Sequence, residues 1–238
     1  MRVLITRPSE DAKSLAQQVE QKGYEACIAP LMTVQTLQKT IEIKGVQALL
    51  ATSANGVRAL SAASPERTLP LFAVGQATAN AAKSLGYLDV VAAGGDVAFL
   101  ADLVKGRLDP KGGALFHGAG KVLSGDLQGL LIEAGFEVRR EILYDARPVD
   151  KLPTEIVADL SAGRIDVALL FSPRTASVFE TLLERHNLRG LTKNLRLICL
   201  SASVADALAN SEFLEVRVPG ERNQDAVLRE LDAVAQQT

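Results

Sequence analysis

Tryptophan is absent from this 238-residue chain, and cysteine, histidine and methionine occur twice each. The two histidines, His117 and His186, are too few for a histidine-based metal centre. Cys27 and Cys199 lie far apart in apolar, strand-like runs. That is the pattern of reduced core thiols rather than of a disulfide or a metal pair, and it points to the cytoplasm. No apolar run reaches about 18 residues, so no membrane span is expected. The opening MRVLITRPSED enters a strand at once and lacks a signal-peptide pattern. Charge of one sign is also lacking: the net charge is −2, which gives no footprint for nucleic acid or a membrane surface. A small anion in a locally basic cleft stays compatible with it. Several catalytic signatures are missing as well. There is no Ser-His-Asp set, no His-x-x-His, no Cys-x-x-Cys and no Gly-x-Ser-x-Gly elbow. Any chemistry here is expected to run without a metal, a cofactor or a covalent nucleophile.

What is present is a regular alternation of strand-like and helix-like segments. RVLIT (2–6) is a short β-rich run. In 9–23, Ala12, Leu15, Ala16 and Val19 share a helical face, with Ser9 as the expected cap and Gly23 as the stop. Residues 24–37 read as extended, and Pro30 marks an edge or a break. Strands follow at 46–51, 69–75 and 89–93, each with a helix after it, and the series begins again at Ala114. Alternation of this kind predicts an α/β fold with mostly parallel sheets.

The second half echoes the first. An offset of 112 residues relates Leu15 to Leu127 and Gly23 to Gly135. LLATSANGVRAL (49–60) matches LLFSPRTASVFE (169–180), which sets Ser53 against Ser172. LFAVGQATANAA (71–82) matches LICLSASVADAL (197–208). Two long copies mean duplication of an α/β domain rather than a solenoid, with a ligand cleft expected between two similar domains.

GALFHGAGKVLSGDL (113–127) invites comparison with a phosphate loop. Val122 stands where a Walker A hydroxyl belongs, and Leu115 where its first glycine belongs. Leu123 replaces the third glycine of a dinucleotide fingerprint. Nucleotide binding is therefore not expected. The glycine turn expected at 118–120, with Lys121, fits either an anion-binding edge or a tight turn carrying a solvated lysine. The other turns share its character: Thr52 and Ser53; Ser172, Arg174 and Thr175; Gly75 to Thr78; Ser201 to Ser203; and Arg7 near the start. Each alone is an ordinary helix cap. Together, with Arg7, Lys121, Arg174 and Arg222 at or near such turns, they describe a site for a polyanion.

In these motifs the chain resembles the uroporphyrinogen-III synthases. VLITRP, ATSANGV, FAVGQATANAA, the glycines at 118–120, AGFEV before LYDARP, and LLFSPRTASVF carry the resemblance by their order and spacing, over essentially the whole chain. The resemblance implies two similar α/β domains, each a parallel sheet flanked by helices, joined by a two-stranded linker with a cleft between them. Residues 1–34 with 150–238 would form one domain and 38–146 the other, with crossing strands near 31–37 and 142–149. It implies a cytoplasmic, monomeric lyase of tetrapyrrole and heme biosynthesis. Such an enzyme converts hydroxymethylbilane, a linear tetrapyrrole with eight carboxylates, into uroporphyrinogen III. Water is lost and the last ring (ring D) is inverted through a spiro intermediate. The bilane, which the preceding pathway enzyme could hand over, also closes unaided to the uninverted isomer, so the enzyme must favour one closure by positioning.

The resemblance assigns Tyr144 to assist departure of the hydroxyl, with ring packing as its alternative role. It places Thr78 at the cleft, with helix capping as its alternative. Ser53 and Ser172 become carboxylate binders. Arg7, Thr52, Gly75, Gly118, Gly120, Lys121, Arg174 and Ser203 complete the expected substrate-binding set. There are departures. Ser201 and Val204 replace a glycine and a threonine of the family pattern, and Lys121 stands near an expected arginine without its planar bidentate fork. These departures motivate a second reading, a non-catalytic regulator that binds a tetrapyrrole or another small anion on the same scaffold.

Overall fold

A computed structural model describes residues 1–123, 125–208 and 211–237. In chain order the elements begin with β1 (Arg2–Ile5), α1 (Ser9–Gln21), β2 (Glu25–Ile28) and β3 (Met32–Thr36). Next come β4 (Val46–Ala51), α2 (Ala54–Ala63), β5 (Leu71–Ala73), α3 (Gln76–Ser84), β6 (Val90–Ala92) and α4 (Val97–Arg107). β7 (Ala114–Gly120), α5 (Leu127–Ile132) and β8 (Val138–Pro148) follow. The remainder is α6 (Thr154–Ser161), β9 (Val167–Leu170), α7 (Pro173–Arg185), β10 (Arg196–Cys199), α8 (Ala202–Ala205), β11 (Glu215–Arg217) and α9 (Gln224–Ala235). No helix among the described residues is long and apolar enough to cross a membrane.

The chain divides into two units, Met1–Thr33 with Arg147–Thr238, and Val34–Ala146. The first has a sheet in the order β11-β10-β9-β1-β2, with every pair parallel. Its central strand β9 is buried along its whole length. Leu15 and Val19 of α1 and Val227 and Leu231 of α9 cover one face. Ile156 of α6, Phe179 and Leu183 of α7 and Val204 of α8 cover the other. The second unit has the order β3-β8-β7-β4-β5-β6. It is parallel from β8 to β6, and Leu37 N–H donates to Leu143 C=O (2.8 Å) beside β3. There α2 and α3 cover one face, and α4 and α5 the other.

Numbered within each unit, the strand orders are 2-1-3-4-5 in the first and, leaving out β3, 3-2-1-4-5 in the second. These are the two common doubly wound orders. In space they are one arrangement, permuted along the chain: β1 and β2 correspond to β7 and β8, and β9, β10 and β11 to β4, β5 and β6. The order reverses between β1 and β9 in one unit and between the equivalent β7 and β4 in the other. Ligands of open parallel sheets bind outside the strand C-termini at such a reversal.

Two local expectations change. Ser9 does not cap α1. Pro8 holds the cap position in an extended conformation (φ −50°, ψ 149°) without a side-chain bond, and Glu10 and Asp11 complement the positive helix end instead. Gly118 and Gly120 do not form a turn but lie inside β7, buried and in register with β8. Crowding explains why they are glycines. A Cβ on Gly118 would stand 2.5 Å from Leu60 Cγ on α2, and one on Gly56 of α2 would stand 2.9 Å from Gly118 C=O. The pair lets α2 lie close against β7.

Gly118→Ala is accordingly expected to destabilise the fold by about 1–3 kcal/mol, the usual cost of overpacking. Gly106→Ala, inside α4 with nothing within 4 Å of a new Cβ, should stabilise it by about 0.5–1 kcal/mol. Urea unfolding of the two variants measures both, and equal midpoints would refute the close approach of α2.

Candidate functional site

In the second unit the strand C-termini assemble a small polar constellation. β4 ends at Ala51, and Thr52 and Ser53 lead into α2. Ser53 is extended (φ −160°), and its Oγ accepts Gly56 N–H at 3.0 Å, a standard cap for the first turn. The same Oγ lies 2.8 Å from the Tyr144 hydroxyl.

Tyr144 reaches Ser53 because β8 is irregular. Ala119 pairs with Ile142, yet Gly120 pairs with Tyr144, so Leu143 is an extra residue in the ladder. Strict alternation would send Leu143 and Tyr144 to opposite faces. The bulge turns both toward α2, and both belong to the core on that face. The tyrosine ring then lies over Gly120, where a Cβ would come within 2.7 Å of Cζ and 2.9 Å of the hydroxyl oxygen. Tyr144 C=O accepts Lys121 N–H (3.0 Å), which ties the start of the following turn to the bulge. The phenol is mostly buried, with 8% of the residue exposed.

The other predicted residues of this unit sit around that centre. Gly75 is the residue before α3, and Thr78 is buried in the first turn of that helix. Lys121 is exposed just past β7. α5 starts only at Leu127, capped by Asp126. Gly118 to Lys121 therefore does not lead into a helix N-terminus, and the phosphate-loop geometry is absent for a second reason.

In the first unit the equivalent turns carry different chemistry. Ser172 caps α7, accepting Thr175 N–H (3.1 Å), and its Oγ is 2.7 Å from Thr175 Oγ1. Arg174 lies in the first turn of α7. Ser203 is exposed on the short α8, its Oγ 3.0 Å from Ser201 Oγ. Arg7, just after β1, is held tightly. Its guanidinium lies 4.7 Å over the Phe171 ring, donates to Gln224 (2.7 Å) and pairs with Asp11 (3.3 Å). An incoming carboxylate would compete with Asp11 for it.

Sequence reasoning missed Gly56, the bulge at Leu143, and Phe171 with Gln224 around Arg7. Glycines spaced two apart in a strand were the available signal for a flattened face, since period two puts both on one side. The bulge left no such mark.

On the opposite face of β7, His117 shares with Leu115 the side turned toward α4 and α5. It is 2% exposed, and among the described residues neither ring nitrogen has a hydrogen-bond partner. The equivalent residue of the first unit, 112 positions earlier, is the core residue Ile5. Burial, with Arg140 beside it on β8, lowers the His117 pKa to about 4.

Comparison with known proteins adds the family. The family described as uroporphyrinogen-III synthase HemD matches residues 13–229. Among solved structures, the chain is similar to a uroporphyrinogen-III synthetase from Helicobacter pylori at 14% identity and a TM-score of 0.64, covering 98% of this chain and 100% of that one. It is also similar to a mutant uroporphyrinogen III synthase from Thermus thermophilus at 19% identity and a TM-score of 0.57, covering 100% of both chains. Among curated proteins, none matches the sequence significantly.

The histidine gives a prediction about acid. An unfolded His117 takes up a proton below about pH 6.5, the folded one only near pH 4. Between those values the unfolded state binds the extra proton, so stability falls as the pH falls, by up to about 3 kcal/mol. His117→Ile should flatten that slope in unfolding titrations between pH 7 and 4, and an unchanged slope would refute the assignment.

Proposed function

Because the chain belongs to the uroporphyrinogen-III synthase family, we propose that it closes hydroxymethylbilane to uroporphyrinogen III, with loss of water and inversion of the last ring, and that Tyr144 serves the loss of water. The observation that carries this reading is the phenol of Tyr144, held over Gly120 and 2.8 Å from Ser53 at the strand C-termini of the second unit.

The chemistry asks for little. A free phenol is protonated at neutral pH and can donate to a departing hydroxyl, which then leaves as water. The overall reaction loses only water, so the proton that Tyr144 gives up returns from the bilane as the ring closes. What remains is geometric. The bilane also closes without help, to the uninverted isomer, so the protein must hold the chain where inversion is the easier path. Capped helix N-termini and hydroxyls suit that task. Thr52, Gly75, Thr78, Lys121, Ser172, Arg174 and Ser203, with Arg7 where it can leave Asp11, are the proposed carboxylate binders. Gly118 and Gly120 enter this reading as the floor that admits α2 and the phenol. The reading calls on no cofactor, metal, nucleic acid or membrane. It describes a cytoplasmic monomer, with the substrate passed on by the enzyme that makes it.

The test is an isomer assay. Hydroxymethylbilane generated in place should give uroporphyrin III after oxidation. The I isomer alone, as in an enzyme-free control, would overturn the activity, and tight tetrapyrrole binding without turnover would mark a binding protein instead. Tyr144→Phe should lower kcat roughly 100-fold, the lower range for a general acid, with product binding retained. An unchanged kcat would remove Tyr144 from the reaction.

A further inference from the structure

Ser53 was expected to bind a substrate carboxylate, but its surroundings suit a different task. Resting on the reading above, we infer that Ser53 is a positioning residue that directs the proton of Tyr144. Among the described residues, Ser53 Oγ has two neighbours, Gly56 N–H at 3.0 Å and the Tyr144 hydroxyl at 2.8 Å. An amide N–H can only donate, so one lone pair of Ser53 is already taken. The bond to Tyr144 can run either way. If the phenol donates, its proton is spent on Ser53. If Ser53 donates, the phenol keeps its proton for an acceptor other than Ser53.

The local field selects the second direction. Ser53 sits at the N-terminus of α2, where the peptide dipoles favour negative charge and repel a proton pointed at the helix. The serine proton therefore turns toward Tyr144. The preference strengthens during reaction. As the phenol gives its proton to the departing hydroxyl, charge builds on its oxygen, and Ser53 O–H already points at that atom. A donor fixed before the charge appears stabilises the transition state more than the ground state. The arrangement is specific to this unit. Ser172, the equivalent cap, faces Thr175 Oγ1 rather than a phenol. Gly56 and Gly120 are the clearances that let serine and phenol meet.

A double-mutant cycle tests it. Ser53→Ala should lower kcat about tenfold, the worth of one such hydrogen bond, and leave KM within about twofold. In a Tyr144→Phe background the same change should cost nothing further. Ser53→Thr, which keeps the hydroxyl, should restore most of kcat. Ser172→Ala, which removes a cap with no phenol beside it, should have the same effect in both backgrounds. An equal loss from Ser53→Ala with and without the phenol, or a loss confined to KM, would overturn the inference and return Ser53 to carboxylate binding. Urea midpoints of the four cycle members, measured without substrate, read the bond itself. Non-additive midpoints support it, and additive ones overturn it. If wild type forms only the I isomer while the midpoints stay non-additive, the assigned activity has failed and the hydrogen bond has not.

Discussion

One extra residue in β8 sets the chemistry that the second unit can offer. With Leu143 bulged out of the ladder, Tyr144 crosses to the α2 side of the sheet and lies over Gly120. Without it, period two would turn the phenol toward α4 and α5, away from Ser53. The bulge is secured from both sides: Leu143 C=O accepts Leu37 N–H, and Tyr144 C=O accepts Lys121 N–H. Its side chains are secured by burial, since Leu143 is fully buried and Tyr144 nearly so. A bulge placed beside a functional group, where it re-aims one side chain, is a recurrent device in sheets.

The glycines follow from that placement. Gly120 leaves room for the ring, Gly118 leaves room for Leu60, and Gly56 lets α2 approach Gly118. None of the three has a positive φ, so clearance and not backbone conformation explains them. The sequence presented Gly118 and Gly120 as a loop suited to cradling an anion. In the fold they bring a capped helix end and a phenol within hydrogen-bond distance. Helix N-termini, whose N–H groups favour anions, lie instead at the starts of α2, α7 and α3, beside Ser53, Ser172 and Thr78.

Much of the fold was legible because its determinants are local and periodic. The α/β alternation, the stop at Gly23 and the caps at Ser53 and Ser172 all follow from residue type and spacing. The duplication was legible because paired motifs kept their order. The bulge was not, because LYDARP reads as a strand in either register, and only its pairing with β7 shows that one residue is extra. His117 was not legible for a related reason. A lone histidine in an apolar strand gives no sign of whether its nitrogens find partners, and here neither does among the described residues. The surroundings of Arg7 were not legible because its neighbours in space, Phe171 and Gln224, are far from it in sequence.

Duplication explains why the two units differ in chemistry while agreeing in shape. Both reverse strand order at the same place, and both put a serine-capped helix beside that reversal. The equivalent strand to β8 in the first unit is β2, which ends at Ile28, while β8 continues through its bulge to Pro148. The phenol's place beside the serine is thus a consequence of the bulge in one copy. In the other copy the same serine position meets Thr175 and retains only hydroxyls and N–H groups, which can bind an anion but cannot supply a proton as a phenol does.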